Sequence, residues 1–237
     1  MARTTDPFGA QLAQELASSS DQGPVGVLLA DYARYHLALV VVGGFFLIGF
    51  IVLSVVFVRR WLKAPRVEQR RLWSFEKTVY VGFAALSIVM ALFLALVVAA
   101  NASNVRDPRT GLQGTVAELN DGSPHLRELH RSAAAWLESH DVTEPAPIQT
   151  AVSERLAWQR PKALICWLLL AGFLVAAALM WRTLLRRCRT GDSWRGADWL
   201  LLLGGSATVA FSLLLMLMVM GNTQASYAPI TMTLLFG

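Results

Sequence analysis

The chain has 237 residues, 55% of them hydrophobic and 16% charged, with a formal net charge of +5 at pH 7. That balance excludes an ordinary soluble domain, in which roughly a quarter of residues are charged. The two cysteines, Cys166 and Cys188, lie in an apolar run and a basic loop, which excludes a disulfide scaffold.

The N-terminal segment, residues 1–35, carries two helical patterns. Thr5 or Asp6 supplies an N-cap, Pro7 a first turn, and Phe8, Leu12 and Leu16 a face at spacing four. Residues 18–24, SSSDQGP, break this pattern. Val25, Leu28, Leu29 and Tyr32 form a second stripe, either a helix near the membrane surface or an extension of the first span. Tyr32, Tyr35 and His36 stand where interfacial aromatic and amphipathic side chains are expected.

Four windows follow, His36–Val58, Thr78–Ala100, Ala163–Trp181 and Trp199–Met220, with no Asp, Glu, Lys or Arg in their interiors. At 1.5 Å per residue, about 20 residues cross the hydrocarbon core. The first window is too long and too far along the chain for a cleaved signal peptide, and arginines follow it. The chain reads as an all-α polytopic membrane protein with four transmembrane helices. The first hairpin covers 36–100 and turns on a basic loop, 59–77; the second covers 162–220 and turns on a basic loop, 182–198.

The first loop cluster is Arg59, Arg60, Lys63, Arg66, Arg70, Arg71 and Lys77. The second is Arg182, Arg186, Arg187, Arg189 and Arg195. Short basic loops are retained in the cytoplasm, so the chain is expected N-out and C-out. The segment 101–161 and the tail 221–237 then lie outside the cytoplasm. Lys stands only at 63, 77 and 162 among many arginines, and alanine is abundant, a bias that points to a bacterial inner (plasma) membrane. The partners expected are anionic lipids at the cytoplasmic face and other membrane-protein subunits, not nucleic acid. Arg59, Arg60, Arg66, Arg70, Arg71, Arg186, Arg187 and Arg189 are the candidate contacts to anionic lipid or phosphate. The plainer reading is that these charges set topology alone.

The segment 101–161 is expected to form a small helical extracytoplasmic cap. Pro124 opens a stripe of Leu126, Leu129, Ala133, Trp136 and Leu137, which the run Glu144-Pro145-Ala146-Pro147 stops. Ile148, Val152 and Leu156 lead into the third span. His125, His130 and His140 lie in this segment beside Glu128 and Glu138 and read as solvated surface residues rather than metal ligands. The tail, with Pro229, Ile230, Met232, Leu234, Leu235 and Phe236, is too apolar for water and too short to span. It lies in the interface, packs on the long loop, or enters a neighbour.

No catalytic, metal or cofactor set stands out, and no haem ligand lies within a span. Mid-span polar residues are Ser54, Ser87, Cys166, Ser206, Thr208 and Ser212. Small residues line the second span at Ala84, Ser87, Ala91, Ala95 and Ala99, and the third at Gly172 and Ala176. They are candidates for helix packing or subunit contact, since small side chains allow close backbone approach. Gly43-Gly44 and Gly204-Gly205 lie in the first and fourth spans. A shift of 121 positions overlays the second span on the fourth, with Leu94 on Leu215 and Asn101 on Asn222. That pattern suggests a parallel duplication.

These features favour a non-enzymatic accessory or scaffolding subunit of a larger membrane complex. The alternative is a small homo-oligomeric transporter or channel for a neutral or lipid-like substrate. Reporter fusions after residues 68, 130 and 190 test the orientation. Cytoplasmic signals are expected at the first and last sites, and a cytoplasmic signal at the middle one would overturn the topology.

Overall fold

The computed structural model describes residues 7–18, 22–64, 75–117, 124–189 and 195–236. Their regular structure is entirely helical. The helices are α1 (Pro7–Ala17), α2 (Gly23–Lys63), α3 (Phe75–Arg106), α4 (Pro108–Ala117), α5 (Pro124–Ser139), α6 (Ala146–Arg189), α7 (Gly196–Tyr227) and α8 (Pro229–Leu234). Four of them, α2, α3, α6 and α7, are long and apolar enough to cross a membrane, which makes this a multi-pass membrane protein. At 1.5 Å per residue the 41 residues of α2 extend about 60 Å, twice the thickness of the hydrocarbon core. Residues 25–35 are therefore an extension of the first span, continuous with it, and not a separate surface helix.

The chain divides into two compact units. The first comprises Met1–Val41, Val98–Ala163 and Gly221–Gly237. Its core joins Phe8, Leu12 and Leu16 of α1 to Leu28, Leu29 and Tyr32 of α2. Leu112 and Val116 of α4, Leu129, Ala133, Trp136 and Leu137 of α5, Ile148 of α6, and Ile230 and Leu234 of α8 complete it. Helix α1 packs on α4 and α5, and α8 packs on α5. The apolar tail thus packs on the long loop.

Polar contacts fix the same arrangement. The Asp31 carboxylate, only 2% exposed, accepts the Thr231 backbone N–H at 2.7 Å in the first turn of α8. His130 is buried, not solvated as its polar character suggests. Its Nε2 donates to the Leu234 carbonyl at 2.7 Å, and its ring lies 5.0 Å from that of Phe8. Of the other two histidines in the segment 101–161, His140 is exposed, and the side chain of His125 lies outside the described residues. His36 Nδ1 meets Asn101 Oδ1 at 2.6 Å, and the Tyr32 and Thr115 hydroxyls are 3.2 Å apart. The Leu16 carbonyl, at the open end of α1, accepts from Arg109 Nη1 and, at 3.4 Å, from Gln113 Nε2.

Helix α4 is not among the elements expected from periodicity. Its apolar face is only Leu112 and Val116. Its start is nonetheless written locally, because Asp107 Oδ1 accepts the Thr110 N–H at 3.2 Å and Pro108 occupies the first turn. Hydrogen bonds from Thr110 hold the Asp107 carboxyl below the usual carboxylate range. Gly111 lets α4 approach α2, since a Cβ there would stand 2.8 Å from Asn104 Oδ1 and 3.0 Å from the Tyr32 ring.

The second unit comprises Val42–Val97 and Leu164–Met220. Many of its large apolar side chains point outward, among them Ile48, Leu92, Leu96, Leu168 and Leu200. A helix apolar on all sides is suited to lipid rather than to water.

Two changes in the first unit are informative. Leu234 is fully buried, so Leu234→Ala is expected to cost about 2–5 kcal/mol, read as earlier thermal unfolding and faster proteolysis of the tail. Burial, and secondly the Asp31 charge, push the Glu144 carboxyl above its usual range. A group raised in the folded state binds more protons folded than unfolded, so stability is lost as pH rises through its folded value. Glu144→Gln should raise the thermal midpoint near neutral pH and leave it unchanged well below 4.5, where Glu144 is protonated in both states.

Candidate functional site

The second unit contains a half-open cavity of about 670 Å³, within the size range of small-molecule sites. All four long helices line it. Helix α6 contributes residues 174, 177, 178, 181, 182, 185 and 186, which is one helical face at spacings of three and four. That face is apolar for its first turns and turns basic over Trp181, Arg182, Leu185 and Arg186. Helix α2 presents Phe50, Leu53, Phe57 and Arg60 on its own face, again ending in an arginine. Tyr80, Phe83 and Ser87 enter from α3, and Val209, Ser212 and Leu213 from α7.

An aromatic wall forms the side of the cavity. Phe57 and Phe83 stack with centroids 5.2 Å apart, and Phe83 meets Trp181 edge-on at 4.8 Å. Trp181 has room because residue 205 is glycine: a Cβ there would stand 3.0 Å from the indole Nε1. The neighbouring Gly204 receives Met180, whose methyl would lie 3.3 Å from a Cβ at residue 204. The Trp181 Nε1 is buried with no hydrogen-bond partner among the described residues. Ser212 bonds back to the Thr208 carbonyl at 2.7 Å, as hydroxyls in apolar helices commonly do.

The charge is all at one end. Arg60, Arg182 and Arg186 have exposed side chains, and among the described residues none has an ion-pair partner. A guanidinium remains charged under all ordinary conditions and offers five donors in a planar fork. Arg187, next in sequence but absent from the lining, is differently placed: its Nη1 lies 3.3 Å from Asp198 Oδ1. Asp198 also accepts the Arg195 N–H at 3.0 Å, which closes the first turn of α7 as the acidic member of a capping box does. Among the described residues Asp198 therefore holds Arg187, and no acid pairs with the cavity arginines.

Of the eight arginines put forward from sequence, Arg60 and Arg186 line the cavity. Arg59 is exposed and does not line it. Arg189 ends α6, with its side chain outside the described residues, and Arg66, Arg70 and Arg71 lie wholly outside them. Arg182 lines the cavity but was not among the candidate contacts; its place four residues before Arg186 and one after Trp181 was the available signal. The small-residue stripe divides. Ala84 and Ser87 are buried and Ala91 is half-buried, but Ala95 and Ala99 are exposed because the buried face continues through Leu94. On α6, Gly172 is exposed with open space beside it, and Ala176 is half-buried. Among the described residues no three His, Cys, Asp or Glu side chains come together as metal ligands.

No family model, curated protein or solved structure matches this chain.

Proposed function

We propose that the protein is a non-enzymatic accessory or scaffolding subunit of a larger membrane complex. In this reading the first unit is an extracytoplasmic cap, the basic loops are cytoplasmic, and the membrane is a bacterial inner membrane. The observation that carries the reading is a packed first unit that still exposes large side chains. Its core draws on separated stretches of chain, yet Trp158 is 72%, Tyr227 66% and Phe236 47% exposed. Aromatic side chains on a rigid surface are what partner interfaces use as anchors. Spans without Asp, Glu, Lys or Arg in their interiors support the same reading, since such groups mark ion and proton paths.

A second reading has its own support. The cavity of the second unit suits a small transporter for a lipid-like substrate. So does the pairing of α3 with α7, each 32 residues long and displaced by the 121 positions of the sequence repeat.

Purification of the full chain from native membranes in mild detergent separates the two. A distinct protein in fixed ratio is expected, with recovery reduced about tenfold by Trp158→Ala if that ring is an interfacial anchor worth 1.4 kcal/mol or more. A pure homo-oligomer that moves lipid between the leaflets of liposomes would contradict the subunit reading.

A further inference from the structure

The cavity is one-ended in its chemistry: aromatic and aliphatic along its length, cationic at one end, with hydroxyls from Ser87 and Ser212. A soluble anion would satisfy the arginines and leave the wall empty. A neutral hydrocarbon would fill the wall and make no use of the arginines. An amphiphile with an anionic head and an apolar chain satisfies both.

We propose that the cavity binds a single phosphate-headed lipid, its phosphate on Arg60, Arg182 and Arg186 and its chain along Phe57, Phe83 and Trp181. Three observations carry this. First, the three arginines belong to two helices and line one end of one cavity, and among the described residues Asp198 pairs with Arg187 and the Arg195 N–H rather than with any of them. Three forked donors match the several oxygens and multiple charge of a phosphate better than a two-oxygen carboxylate. Secondly, the depth is right. Phe50 to Arg60 is ten residues along α2, about 15 Å at 1.5 Å per residue, or half of a 30 Å hydrocarbon core. A chain entering from the basic end would therefore occupy one leaflet's depth. Thirdly, the basic end is the end of the helices that carries the cationic loops, where anionic headgroups concentrate. The site lies within the second unit, so it stands whether or not the protein is a complex subunit.

The test uses the full chain in nanodiscs of phosphatidylcholine doped with phosphatidic acid, with retained lipid counted by native mass spectrometry after detergent extraction. One phosphatidic acid per chain is expected. Replacing the three cavity arginines together (Arg60→Gln, Arg182→Gln, Arg186→Gln) should reduce its retention tenfold or more. The paired change Arg59→Gln and Lys63→Gln, which removes two exposed charges outside the lining and keeps the Arg187–Asp198 pair, should not. Ala178→Phe fills the cavity without touching the charges and should also expel the lipid. Circular dichroism and thermal midpoints identify any variant that fails to fold, and Ala178→Phe and the triple arginine variant report independently. Equal retention of phosphatidylcholine would overturn the proposal, as would equal loss in the Arg59/Lys63 variant, which would mean a diffuse cationic belt. Displacement of the lipid by inorganic phosphate alone would show a free-phosphate site, and preference for a fatty acid would show a carboxylate site; either would overturn it.

Discussion

The carboxylate of Asp31 and the backbone N–H of Thr231, 200 residues apart in sequence, meet at 2.7 Å in the interior of the first unit. The rest of that unit depends on this contact. A carboxylate removed from water is costly unless hydrogen bonds replace its hydration. The free amides in the first turn of α8 supply one. The contact therefore brings the last helix onto α2, and Ile230 and Leu234 then complete a core whose other walls are α1, α4 and α5. His130 closes the opposite end of α8 by donating to the Leu234 carbonyl. Both ends of a six-residue helix, which alone could not persist in water, are held by buried side chains.

The bilayer imposes the other constraint. Backbone polar groups must be satisfied within a spanning segment, which leaves helices as the economical solution for this chain. Charged side chains are then displaced to the ends. In α2 and α6 the helical period carries some of those end charges onto the same faces that line the cavity. Placing Arg60, Arg182 and Arg186 there needs no special backbone, only the continuation of a face at spacings of three and four. Arginines near helix C-termini are also favoured by the helix dipole. The same residues can thus serve orientation, helix termination and a ligand without competing for geometry.

Much of this was legible in the sequence, for reasons that differ by element. Long uncharged runs have one stable form in lipid, so the four spans could be read directly. Helix α5 was legible through its stripe from Leu126 to Leu137, and that same stripe contains residue 130 at the correct spacing. Residue type alone puts His130 at the surface, whereas its register puts it in the core, where it is buried. Helix α4 was hidden by a weak apolar face, although Asp107-Pro108 marks its start. The burial of Asp31 could not be read locally, because what covers it is a tail two hundred positions away. For the cavity, the arginines were visible as charge. Their division, with Arg187 held by Asp198 and Arg182 turned to the cavity, follows from helix faces and tertiary packing rather than from charge density.

Hydrogen exchange across Pro229–Leu234, measured on the full chain in lipid nanodiscs, tests the dependence of the first unit on its last helix most directly. Strong protection is expected at the Thr231 amide, comparable to that of α5, and Asp31→Ala should lower the protection of both segments together. Exchange of this segment at the rate of an unstructured peptide, while α5 stays protected, would contradict the account.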